Sequence, residues 1–168
     1  MEHKFFMHRI KEENGTYVKG IEVHDDKNSA IRSFYAYMTY AYNNPKFPDV
    51  TYVSCKITDI DGNILQPYDR KWYKTDPTDN TFFMHHIRKD GETFSKDIDI
   101  CQSFDAAKLA FSDAMAYGYY NPKFASVELV SCMITDRFGV VMKPYDETWR
   151  IPDPDPEDEP EQTQQAGE

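Results

Sequence analysis

Asn44-Pro45-Lys46-Phe47, followed by Val53-Ser54-Cys55 and Ile57-Thr58-Asp59, is written again 77 residues later. The second copies are Asn121-Pro122-Lys123-Phe124, Val130-Ser131-Cys132 and Ile134-Thr135-Asp136. The same offset runs without a gap from Phe5/Phe82 to Trp72/Trp149, and 29 of the 68 aligned pairs are identical. Identity of this extent at one fixed offset marks an internal duplication. The chain of 168 residues is one module written twice, with a tail behind it.

The expected divisions are residues 1–74 for the first unit, 75–80 for a linker, 81–150 for the second unit and 151–168 for the tail. Units of about 70 residues lie near the lower limit for independent folding. They are therefore expected to pack on each other, within a monomer or in a dimer. An aromatic content of 15% raises the area that such short units can bury.

Each unit opens with a hairpin signal. In the first, Phe5 to Lys11 and Thr16 to Val23 flank Asn14-Gly15, a pair suited to a two-residue turn. The second copy has Asp90-Gly91 at nearly the same place. Phe6, His8 and Ile10 share one strand face and recur as Phe83, His85 and Ile87; Phe5, Met7 and Arg9 share the other. Apolar residues on both faces predict that one face meets the helix and the other a second surface.

A helix follows, with Asp26 and Ser103 as N-caps. Ala30, Phe34, Met38 and Ala41 form one apolar stripe, repeated as Ala107, Phe111, Met115 and Gly118. Asn44-Pro45 and Asn121-Pro122 stop the helices, because the residue before proline disfavours the α conformation. In the next strand Val53, Cys55 and Ile57 alternate with Ser54, Lys56 and Thr58, which predicts one buried face. A turn and a last strand end at Pro67-Tyr68-Asp69 and Trp72, or Pro144-Tyr145-Asp146 and Trp149, where proline favours an edge. The fold class is α+β: two tandem ββαββ repeats, each a four-stranded sheet with one helix. The order of elements is β-grasp-like, and the repeats are expected to pack with pseudo-two-fold symmetry.

The net charge of −10 is concentrated at the end of the chain. Residues 151–168 hold seven acidic residues and no Lys or Arg, leaving −3 for residues 1–150. That balance argues against direct nucleic-acid binding. The Pro-rich acidic tail has the composition of a disordered segment. Three cysteines without close spacing fit neither a disulfide framework nor a zinc site. Cys55 and Cys132 are expected to be equivalent buried positions. No stretch reaches the length of a signal peptide or a membrane span, so a cytoplasmic protein is expected.

Few residues carry chemistry. His8, His85 and His86 are the candidate metal ligands, but adjacent histidines on a strand point to opposite faces. A structural role is expected for them, with neither metal nor cofactor. Asp59/Asp136 and Asp69/Asp146 recur without a base or nucleophile beside them, so Asp59 and Asp136 are read as turn residues. No catalytic set is complete in either copy, and the protein is read as a non-enzyme. The candidate binding surface is the helix tyrosines Tyr35, Tyr42 and Tyr40 with Tyr117 and Tyr119. Tyrosine combines contact area with a polar tip and is enriched at interfaces. The same rings could instead cover a thin core or join the repeats.

Each unit, with its hairpin, its Phe/Met/Tyr-rich helix, its Ile-Thr-Asp before a turn and its closing Trp, resembles a class of short proteins from bacteria and their mobile elements. The resemblance covers residues 5–72 and 82–149. It implies a phage- or plasmid-associated setting and transfers no site residue. The expected function is a macromolecule-binding module that engages or inhibits a host protein. The alternative is a small-ligand or metal site between the repeats.

Overall fold

The computed structural model describes residues 4–76, 80–120 and 123–152. The first unit runs β1 (Phe5–Glu13), β2 (Thr16–His24), α1 (Lys27–Tyr42), β3 (Val50–Thr58) and β4 (Ile64–Tyr73). The second repeats it as β5 (Phe82–Asp90), β6 (Thr93–Cys101), α2 (Phe104–Tyr119), β7 (Val127–Thr135) and β8 (Val141–Arg150). The tail beyond Pro152 and linker residues 77–79 lie outside the described residues.

The strands pair in the order β2-β1-β3-β4 and β6-β5-β7-β8, with every neighbour antiparallel. Because β2 and β3 both run against β1, they run parallel to each other. A parallel pair needs a crossover, and α1 supplies it across one face of the sheet. The last strand of each unit is an edge, which tolerates Pro67 and Pro144. Both prolines fall where the β3–β4 and β7–β8 registers shift.

The first hairpin turns at Asn14-Gly15, with φ of 54° and 76°. The second departs from its expected turn. Asp90 still pairs with Thr93, so the loop residues are Gly91 and Glu92. Gly91 takes the place of Asn14 and supplies the positive φ, 62°, at the first loop position.

Both helices are capped as expected: Ser29 N donates to Asp26 Oδ1 at 2.7 Å and Ala106 N to Ser103 Oγ at 3.1 Å. Their buried stripes are Ala30, Phe34, Met38, Ala41 and Ala107, Phe111, Met115, Gly118. Each stripe packs on the odd-numbered face of β1 and β3 or its even-numbered equivalent on β5 and β7, which carry Met7, Val53, Cys55 and Ile57 or Met84, Val130, Cys132 and Ile134. Gly118 lies close under Trp149, where a Cβ would come within 3.0 Å of that side chain; the first unit has Ala41 at the matching position.

The opposite faces of the two sheets close on each other. Phe6, Ile10, Ile21, Tyr52 and Ile60 of the first unit form one core with Phe83, Ile87, Ile98 and Leu129 of the second. The layers are therefore helix, sheet, sheet, helix. Contacts across the junction come in matching pairs: Phe6 meets Phe94 edge-on at 5.9 Å, and Tyr17 meets Phe83 at 5.4 Å. The turns at Gly62 and Gly139 are each pressed on the last strand of the other unit, against Thr148 and Lys71. Burial between the sheets corrects one expectation. The Ser54-Lys56-Thr58 face, expected to be the solvent side of β3, is as buried as its neighbour, because the second sheet covers it.

Candidate functional site

Four of the polar residues trapped between the sheets form one chain of bonds. His8 and His85 face each other with their Nδ1 atoms 3.0 Å apart. His8 Nε2 lies 2.8 Å from Thr58 Oγ1, and His85 Nε2 lies 2.9 Å from Thr135 Oγ1. Burial, with a smaller push from the Lys56 ammonium, lowers the His8 pKa from 6.5 to about 3. His85 is also held well below 6.5, first by burial and then by the charges around it. Both rings are neutral at pH 7.

Lys56 is buried beside this pair. Its Nζ lies 2.5 Å from Asp69 Oδ1 and donates to the Gly139 carbonyl of the other unit at 2.8 Å. The ion pair and the carbonyl offset the desolvation of its charge. His86 points away from this layer, towards α2, where its Nε2 lies 3.3 Å from Asp99 Oδ1. The three candidate histidines therefore do not converge. Among the described residues no group of three or more His, Cys, Asp or Glu side chains could hold a metal ion.

The recurring aspartates act on the backbone. Asp59 Oδ1 accepts from the amides of Asp61 and Asn63, both at 2.9 Å. Asp136 Oδ1 accepts from Phe138 and Val140 at 2.8 and 2.9 Å.

The candidate tyrosines divide into two sets. Tyr35, Tyr42 and Tyr119 stand exposed, as does Tyr120. Tyr42 Oη accepts from Arg70 Nη1 at 3.2 Å, and Tyr119 Oη donates to Glu147 Oε2 at 2.7 Å. Partial desolvation where the hydroxyl meets Glu147, together with that carboxylate's bond and charge, raises the Tyr119 pKa to about 12, although the ring itself is largely exposed. Tyr40 and Tyr117 are half-buried: each packs on a phenylalanine, Phe47 or Phe124, with ring centres 4.8 Å apart. Each also lies beneath a cation, Lys11 Nζ at 3.9 Å and Arg88 Cζ at 4.1 Å. They complete the core more than they display a surface.

A cleft that the sequence did not suggest opens beside Tyr117. It lies between α2 and the outer face of β5 and β6, and encloses about 360 Å³. His86, Arg88, Asp99, Asp113, Ala114 and Tyr117 are among its walls. The available signal was a difference between the copies: Tyr37 and Arg9 in the first unit stand as Ala114 and His86 in the second.

No protein-family model, curated protein or solved structure matches the chain. Among the described residues no helix is long and apolar enough to cross a membrane.

Proposed function

We propose that this chain is a non-enzymatic binding module, built as a pseudo-two-fold pair of units, that engages another protein through the outward faces of its two helices. The carrying observation is the layering. One face of each sheet is covered by a helix and the other by the twin sheet, so the helices provide the broad outer surfaces. Exposed Tyr35 and Tyr42 on one side, and Tyr119 on the other, supply the aromatic anchors that interfaces favour.

The pseudo-two-fold is supported by the matched ring contacts, the reciprocal turn contacts and the meeting of His8 with His85. The non-enzymatic reading is supported by the use of the recurring aspartates in turns and in neutralising Lys56. The resemblance to short mobile-element proteins suggests a phage or plasmid protein that binds or inhibits a host protein. A ligand or metal site between the units finds less support, because aromatic and aliphatic side chains occupy that layer and the two histidines bond each other.

A photo-crosslinking side chain at Tyr42 or at Tyr119 tests the surface during affinity capture from bacterial lysate. One and the same protein should be captured from both positions. The Tyr42→Ala/Tyr119→Ala variant should bind it more weakly by about 2 kcal/mol for each anchor. Unchanged affinity in that variant would remove the helix faces as the contact surface.

A further inference from the structure

The cleft of the second unit has a filled counterpart in the first. There Tyr37 lies under the Arg9 guanidinium, whose Cζ is 5.4 Å from the ring centre. Arg9 Nε in turn sits 3.1 Å from Glu22 Oε2, and Ser33 Oγ donates to the other oxygen of that carboxylate. Ring, cation and carboxylate follow one another in a row, all supplied by the chain itself. The second unit keeps the carboxylate as Asp99 but replaces the ring by Ala114 and the guanidinium by His86. Ala110 stands where Ser33 does, and Asp113 adds a second carboxylate where the first unit has Ala36.

The consequence is a pocket of about 360 Å³, within the range of about 300–1,000 Å³ occupied by small-molecule sites. Its walls combine the small alanines of α2, the Tyr117 ring and two carboxylates. The one permanent cation there, Arg88, already lies over Tyr117 at 4.1 Å. Asp113 and Asp99, the latter 3.3 Å from His86 Nε2, stand against one guanidinium, so the carboxylates outnumber the permanent cation of the lining. An acid would be repelled and an amine attracted. We propose that this cleft binds a small aromatic amine, whose ring takes the place of Tyr37 and whose cation takes the place of Arg9 against Asp99 and Asp113. The first unit carries its own copy of that ligand as side chains. The site is separate from the exposed tyrosines of the helix faces.

Tyramine, a phenol ring with an ammonium, is the direct probe. Titration of the full chain should give a dissociation constant of about 1 mM or tighter, as expected for about ten non-hydrogen atoms. NMR amide shifts should concentrate at Ala110 and Ala114. 4-Hydroxyphenylacetate has the same ring with the opposite charge and should bind at least about tenfold more weakly. Asp99→Asn, on the exposed rim, should weaken tyramine by about tenfold. His86→Arg/Ala114→Tyr, which rebuilds the first unit's set, should abolish binding and leave the melting temperature unchanged or higher. The proposal is overturned by an absence of shifts at Ala110 and Ala114 in about 10 mM tyramine, by equal binding of the acid, or by full binding in the rebuilt variant. Should that variant fail to fold, the acid comparison and Asp99→Asn still decide.

Discussion

The two units use the same frame and finish it differently at the helix–sheet rim. In the first, Tyr37, Arg9 and Glu22 close the space between α1 and the outer strands. In the second, Ala114 and His86 leave it open. The positions under the helices hardly differ: Ala30, Phe34 and Met38 recur as Ala107, Phe111 and Met115, and all six are buried. The same contrast appears between the sheets. Ile60 joins the shared core, whereas its counterpart Arg137 reaches across to Tyr17 and stands over the Tyr52 ring at 5.0 Å. Duplication has held the stripe that makes the fold and released the rim. The difference between the copies is therefore a guide to where function has room to arise.

The largest effect should come from the shared stripe. Phe34→Ala and Phe111→Ala should each lose about 3–5 kcal/mol in denaturant unfolding, because both rings are enclosed. Losses below about 1 kcal/mol would show that the helix faces are not equivalent cores.

Acid should act next, through the junction. Unfolded histidine takes up a proton near pH 6.5, whereas folded His8 holds out to about pH 3 and His85 is likewise lowered. The unfolded state then binds more protons, so stability is fully present above pH 6.5 and is lost as pH falls. Each histidine should contribute up to about 1.4 kcal/mol of loss per pH unit. Glu22, whose pKa lies below 4.5, enters only at lower pH, so the window between about pH 6 and 5 belongs to the histidines. His8→Gln/His85→Gln should flatten stability there; a flat profile in the parent protein would contradict the buried pair.

A smaller effect separates the rims. Tyr37→Ala should cost about 2 kcal/mol, since that ring is only half-buried, while Ala114→Tyr should cost little. Equal costs would mean that the two clefts are not filled and open versions of one site. The smallest response is expected from the thiols. Cys55 and Cys132 are fully enclosed, and burial raises both pKa values, that of Cys132 to about 12. Native protein should resist thiol labelling at both, and rapid modification of either would displace its strand face.

What the sequence disclosed was what repeats. The element order, both caps, both helical stripes, the Asn14-Gly15 turn and the aspartate-held turns follow from local patterns and agree with the structure. The first hairpin's two apolar faces also pointed to a contact between units. Strand pairing was not legible, because order along the chain leaves the neighbour of β1 open. The Ser54-Lys56-Thr58 face misled, because polar alternation reads as solvent whether water or a bonded interior receives it. Nor did the cleft show itself, since an alanine in a helix carries no sign of the ring it stands in for.

The histidine pair has a further consequence. Two facing Nδ1 atoms share one hydrogen, so one ring must donate while the other accepts, and each Nε2 takes the opposite role towards its threonine. The bonds consequently run in one direction, from Thr58 to Thr135 or the reverse. Two halves with the same residues at their meeting point cannot carry the same protons. In a pair of identical chains the two directions would be degenerate. Here Lys56 stands on one side and Met133 at the matching place on the other, so fusion of the copies gives the centre of the molecule a polarity of its own.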